Sequence, residues 1–218
     1  MKRARIVVFA FVALVALVLA LASNKAAQGG IRRAGPGGVA GAGIGTATGR
    51  TVHGAISGAA LGGVAGAVIG HQMDRQAQEL AYDLPEATVQ RIGEGITVTF
   101  PAGLLFGFGS DHLRSAASVD LRDLAASLKA YPNTRVLVVG HTDSDGSARY
   151  NKDLSNRRAR SAANFIVQEG VDRARIATAG RGATEPIAAN DSEEGRRQNR
   201  RVEIAIYTNA GTSSGSGN

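Results

Sequence analysis

Apolar residues change their period several times along this chain, and each change marks a change of element. Ile6 to Ala22 is an uncharged apolar run behind Lys2, Arg3 and Arg5, the layout of an export signal or a membrane anchor. From residue 37 the repeat becomes four. Glycines fall at 37, 41, 45 and 49, then at 54, 58, 62, 66 and 70, with mainly Ala, Val, Ile and Leu between them. Spacing by four puts each set on one helix face, which predicts two glycine-faced helices packed as a hairpin that turns at Arg50 to His53. The second set, Gly54 to Gly70, would be about 24 Å long, somewhat short of a hydrocarbon core of about 30 Å. It can insert, lie at the interface or oligomerise.

Beyond residue 70 the pattern is that of a soluble domain. Gln72 to Asp83 reads as a polar helical connector. Ile96 to Phe100 alternates as a strand, Leu104 to Phe106 is a short apolar piece, and Arg135 to Val139 is a β-branched run of the length of a buried strand. Arg175 to Ala179 is a short strand before Gly180-Arg181-Gly182, and Val202, Ile204 and Ile206 alternate with Glu203 and Ala205 in a last one. Two helices lie among them. Ser115 is placed to cap one that runs to Tyr131, with a stripe of Ala117, Leu121, Leu124, Leu128 and Tyr131 and Pro132 as its stop. Ser147 is placed to cap the other, which runs to Glu169 and stops at Gly170. Strands mixed with long helices predict an α+β fold with helices packed on one face of a sheet.

The chain divides accordingly into a signal or anchor (1–22), a linker (23–37), a membrane-associated glycine segment (38–70), a helical connector (71–91), a globular domain (92–207) and a disordered Gly/Ser tail (208–218). Ala20-Leu21-Ala22 before Ser23 offers a small-x-small site, which favours cleavage over retention as an anchor.

One constellation carries chemistry. Asp143 falls in the loop leaving the strand that ends near Val139, and loops at strand ends are where sites are built. On the helix that follows, Asn151, Leu154, Arg158, Ala162, Phe165 and Ile166 share one face, so Arg158 lies on the inward stripe while Arg157 is turned roughly 100° away. An arginine on an apolar face keeps its charge and needs a carboxylate or a wet cleft. Two readings follow: an internal Asp143–Arg158 salt bridge, or two charges standing apart to grip a zwitterion such as an amino-acid head group. Asn151 is placed to bond the loop that carries Asp143. Of Arg200 and Arg201, which point to opposite faces of the last strand, at most one approaches the cleft and the other is solvated.

Gly140-His141-Thr142-Asp143, Tyr150-Asn151, Leu154-Ser155, Arg157-Arg158-Ala159, Gly180-Arg181-Gly182 and Asn199-Arg200-Arg201-Val202-Glu203-Ile204 resemble, in order and spacing, the OmpA-like peptidoglycan-binding domain. The resemblance implies a mixed sheet with helices on one face and non-covalent binding of the diaminopimelate residue of the cell-wall stem peptide, with Asp143 and Arg158 in the positions that hold it. The family also places the loop Gly107 to Asp111 beside the cleft. Ser110, Asp111, Thr142, Asn151 and Arg201 are secondary candidates. The glycine repeat is similar to the glycine-zipper segment found ahead of such domains in some envelope proteins.

Charge and composition narrow the alternatives. Lys+Arg 25 against Asp+Glu 18 gives +7, and Lys2, Arg3, Arg5, Lys25, Arg32 and Arg33 precede the first acidic residue, so much of the excess is topogenic or juxtamembrane. A basic face of Arg157, Arg160, Arg173, Arg175, Arg196 and Arg197 raises nucleic acid as a partner, but acids are interspersed and aromatics for stacking are few. With no cysteine there is neither a lipidated N-terminal cysteine nor a disulfide. His53, His71, His112 and His141 have no metal-ligand spacing, His141 and Asp143 lack a placed nucleophile, and no cofactor is called for. The expectation is a non-enzymatic envelope protein with its globular domain in the periplasm, outer membrane favoured over inner, and with peptidoglycan, membrane lipid and a second copy of itself as partners. A zipper oligomer or pore whose globular domain serves as wall anchor is the alternative.

Overall fold

The computed structural model of the protein describes residues 51–60 and 66–208, all within one unit of the chain. The export segment, the first glycine set with the start of its hairpin, and the C-terminal tail lie outside the described residues. The described elements run in the order α1 (Thr51–Ala60), α2 (Gly66–Asp83), β1 (Thr88–Ile92), β2 (Gly95–Pro101), α3 (Ala102–Leu105), α4 (Ala117–Ala130), β3 (Thr134–His141), α5 (Ala148–Gln168), a 3₁₀ turn (Arg173–Arg175), β4 (Ile176–Gly182), α6 (Glu193–Asn199) and β5 (Arg201–Thr208).

The fold is α+β with a five-stranded mixed sheet in the order β1-β2-β5-β3-β4. The last strand is the central one: β5 pairs antiparallel with β2 and with β3, and β3 pairs parallel with β4 through the crossover helix α5. Ile204 sits opposite Val98 on one side and Val138 on the other. Those three share the face that packs, through Leu121, Leu124 and Leu128 of α4, Ala159, Ala162 and Ile166 of α5, and Met73 and Leu80 of α2, into the main core. Residues one step out of phase point to the opposite face.

That second face is not left to solvent. Val52 and Ile56 of α1 pack on Val139 and Ala205, so a helix carrying the start of the second glycine set covers the back of the sheet while the other long helices cover the front. Glu185 fastens it: its carboxylate accepts from the Thr51 backbone N–H at 3.0 Å and from the Thr51 hydroxyl, a negative charge at the positive end of a helix. Arg181 donates to the same hydroxyl and pairs with Glu185 at 3.3 Å. The described part of Gly54 to Gly70 is thus divided between α1 and α2. Among the described residues no helix is long and apolar enough to cross a membrane.

The folded domain starts ahead of residue 92, because α2 contributes to the core and β1 forms the sheet edge. The apolar piece Leu104 to Phe106 falls mostly in the short helix α3. Ser147 caps α5 by accepting from the Tyr150 N–H, and Gly170 follows its end at φ 96°. Ser115 does not cap α4, whose N-cap is Ala116 with no side-chain bond. There the chain enters the helix through a turn of backbone bonds, Ala117 N–H to the Arg114 carbonyl and Ser118 N–H to that of Ser115.

Candidate functional site

Two glycines set the position of α5, and with it the cleft. Gly140 and Gly180 are register partners on β3 and β4, and α5 crosses them closely. A methyl group on Gly140 would stand 2.2 Å from the Ser155 carbonyl oxygen, and one on Gly180 would stand 2.4 Å from the Asn156 nitrogen. Polar bonds lock this contact: Asn156 Oδ1 accepts from Gly180 N–H at 2.7 Å, Ser155 Oγ accepts from Gly182 N–H at 2.9 Å, and Lys152 Nζ donates to the Gly180 carbonyl at 2.6 Å. Ser155 and Asn156 lie less than one turn from Arg158, so the seam fixes where its side chain emerges.

Asp143 and Arg158 are both buried, and they do not close on each other. The Arg158 guanidinium donates from Nε to the Ser110 carbonyl at 2.8 Å and from Nη2, at a long 3.4 Å, toward that of Gly107. It stacks over the Phe106 ring at 5.3 Å from the centroid. Burial lowers its pKa below the ordinary guanidinium value, against the opposing pull of Tyr150, Asp111 and Asp143. No ion pair joins it to a carboxylate among the described residues. This is an arginine held by backbone carbonyls with charge to spare.

Asp143 has a different counter-ion. Its Oδ2 accepts from Arg200 Nη1 at 2.7 Å and its Oδ1 from the Asp145 N–H at 3.2 Å. Arg200 also donates to Glu193 at 2.6 Å, and these two hydrogen bonds hold its pKa above the ordinary value. A carboxylate offers about four acceptor positions, so Asp143 retains acceptor capacity. The pair thus consists of one acceptor-rich acid and one donor-rich base, each fixed by groups other than its opposite number.

The secondary candidates separate. Asn151 is buried and donates to the carbonyls of Asp143 and Asp145 at 3.3 and 2.9 Å, which holds the acid's loop. Thr142 is buried, its hydroxyl donating to the Asp143 carbonyl at 2.9 Å. Ser110 offers its carbonyl to Arg158, while its hydroxyl accepts from the His112 N–H. Asp111 faces Arg157 at 3.4 Å. Arg201 is not at the cleft, nor is it solvated. It lies buried, with Nε donating to Glu203 at 2.8 Å, because residues i and i+2 of a strand share a face and Glu203 supplies the charge that burial demands. Arg200 is the one that reaches the cleft.

Sequence reasoning missed Glu193 and the helix that carries it. The signal was present: Ser192 caps α6 by accepting from the Gly195 N–H, and Glu193 and Glu194 open its first turn. Of the arginines considered as a basic face, Arg196 and Arg197 are paired with Glu193 and Glu194. Arg175 donates to the carbonyls of Leu128, Tyr131 and Thr134. Neither use favours a nucleic-acid surface.

The chain is similar to several known proteins. Residues 105–200 match the OmpA family, and residues 1–74 match the YMGG-like Gly-zipper. The chain is 40% identical over 139 residues to the probable lipoprotein YiaD of Escherichia coli (strain K12), covering 63% of this chain and 64% of that one. It is 43% identical over 103 residues to the peptidoglycan-binding protein ArfA of Mycobacterium tuberculosis, covering 47% of this chain and 32% of that one. Less than two thirds of either curated relative is therefore spanned. Among solved structures, the cell wall anchor of the T6SS from Pseudomonas aeruginosa matches at 34% identity and a TM-score of 0.57, covering 62% of this chain and 99% of that one. With the motif blocks, the family match and a nearly complete match to that anchor in agreement, the chain belongs to the OmpA family.

Proposed function

We propose that this protein tethers a bacterial membrane to the cell wall by reversible, non-catalytic binding of the peptidoglycan stem peptide. The observation that carries the reading is that Asp143 and Arg158, two buried opposite charges, are each hydrogen-bonded to other groups and not paired with each other. The free amino-acid end of diaminopimelate is complementary to it, its carboxylate on the Arg158 fork and its ammonium on Asp143. Relatives that include a peptidoglycan-binding protein and a cell wall anchor support the assignment. The segment ahead of the domain, matched by a glycine-zipper family, supplies membrane association and self-association. A probable lipoprotein and an outer membrane protein among the relatives favour the outer membrane.

The test is co-sedimentation with purified sacculi. Asp143→Asn removes one charge with the side-chain shape retained, Arg158→Gln removes the other together with the guanidinium fork, and each lowers affinity by about one to two orders of magnitude, the weight of a charged hydrogen bond. Circular dichroism establishes that each variant is folded. Undiminished sedimentation of both folded variants overturns the proposal.

A further inference from the structure

The exposed aromatics are not scattered evenly. Phe108 is fully exposed and Tyr150 half exposed, and each adjoins residues that bond Arg158 or the Asp143 loop. Isolated apolar residues on a surface are ordinary; two rings around one binding cleft form a surface of their own.

Each ring stands on a segment that bears on Arg158 or on the loop after Asp143. Phe108 lies between Gly107 and Gly109 on the segment whose carbonyls, at Gly107 and Ser110, accept from Arg158. Gly109 has φ 65°, a left-handed turn open to glycine. Tyr150 stands in the first turn of α5, its backbone N–H on the Ser147 cap. A methyl group on Gly146 would lie 3.3 Å from its Cδ1, and one on Gly109 would lie 3.7 Å from its phenol oxygen. The Tyr150 ring therefore spans from the loop that follows Asp143 to the loop that holds Arg158.

We infer that Phe108 and Tyr150 form a stacking subsite for a pyranose ring of the glycan strand, next to the charged cleft. The inference rests on the proposed binding of the stem peptide. A ring of C–H bonds with hydroxyls at its edge suits what these side chains offer, two π faces and one phenol. Reach agrees as well. The stem peptide joins the sugar two residues before diaminopimelate, a span of roughly 7–11 Å for two or three extended residues, and Phe108 is two residues from Ser110, within about 7 Å of extended backbone.

The experiment is calorimetric titration of the full chain with two probes: the L-Ala-γ-D-Glu-diaminopimelate tripeptide, and the same tripeptide carried on its N-acetylglucosamine-N-acetylmuramic acid disaccharide. The wild type binds the disaccharide form about three- to tenfold more tightly, the scale of one aromatic contact. Phe108→Ala reduces that advantage with affinity for the bare tripeptide unchanged, and adding Tyr150→Ala abolishes what remains of the ratio between the two probes. Equal affinity of the wild type for both probes overturns the glycan subsite and leaves stem-peptide binding standing. Equal weakening of both probes in the variants also overturns it, because the rings then serve the peptide. If neither probe binds the wild type, the stem-peptide reading fails and this inference fails with it.

Discussion

Arg200 ends at the cleft with its side chain 28% exposed, bonded to Asp143 and Glu193, whereas Arg201, one residue on, lies on the far face of the sheet with its side chain 2% exposed and bonded to Glu203. The same residue type in successive positions is used in opposite ways, and strand parity is the cause. On the cleft side, water remains to screen the charges and other donors and acceptors stay within reach, so the network can exchange partners when a ligand arrives. On the far side α1 packs over the sheet, and a charge there is tolerable only with a fixed partner. The comparison separates the machinery proposed to meet ligand from the machinery that holds the domain together.

The largest expected effect tests the dry side. Glu203→Ala strands the Arg201 guanidinium without its carboxylate and should cost about 3–5 kcal/mol of stability, the weight of breaking a buried pair. Arg200→Gln, on the wet side, should cost less, because the Arg200 side chain is 28% exposed, half of its pairing is to the surface Glu193, and the Asp145 N–H still holds Asp143. Urea denaturation of both variants reads the difference. Equal losses would erase the distinction between the two faces.

How much of this was legible in the sequence depends on whether the cause was local. The cap at Ser147, the stop at Gly170 and the position of Asp143 after a strand are fixed by residues a few positions apart, and they read directly. Edge strand β1 did not, because its residues are exposed or half-buried and carry no apolar alternation. Helix α6, with the sequence Glu-Glu-Gly-Arg-Arg-Gln-Asn, has no apolar stripe at all. The docking of α1 was hidden for another reason: a glycine- and alanine-rich face fits a membrane, a second helix or a sheet equally well, and Val52 and Ile56 do not name their partner. That docking in turn misleads about β5. Its alternation suggests one solvated face, yet Arg201 to Ile206 are all buried, because cover for the second face comes from more than a hundred residues earlier.

A middle-sized effect tests that cover. Ile56 is buried, and Ile56→Ala removes the side chain that fills the space above Gly95, where an added methyl group would meet it at 2.8 Å. Truncation of a buried isoleucine costs about 2–5 kcal/mol, but a ten-residue helix can detach as a unit, so the loss cannot exceed the docking energy of α1. Hydrogen exchange should show amides of Thr51–Ala60 losing protection while central β5 amides keep theirs. Unaltered protection of α1 would mean that the far face does not depend on it.

The smallest effect belongs to the wet side, and it is set by pH. Glu193 accepts from Arg200 and from Arg196, and those hydrogen bonds, that from Arg200 foremost, hold its carboxyl below the ordinary carboxylate value. A depressed folded pKa stabilises the fold above the unfolded value and is lost as pH falls through the folded one, so the effect is confined to acid and absent near neutrality. An NMR titration of the Glu193 carboxyl should give a midpoint below that of an exposed glutamate. Arg200→Gln should raise the midpoint more than Arg196→Gln does. Because Glu193 is at the surface, added salt should narrow the difference. A midpoint indistinguishable from an ordinary glutamate would show that Arg200 does not hold Glu193 in solution. Asp143 would then be its single anchor, and the cleft network would be looser than its bond lengths imply.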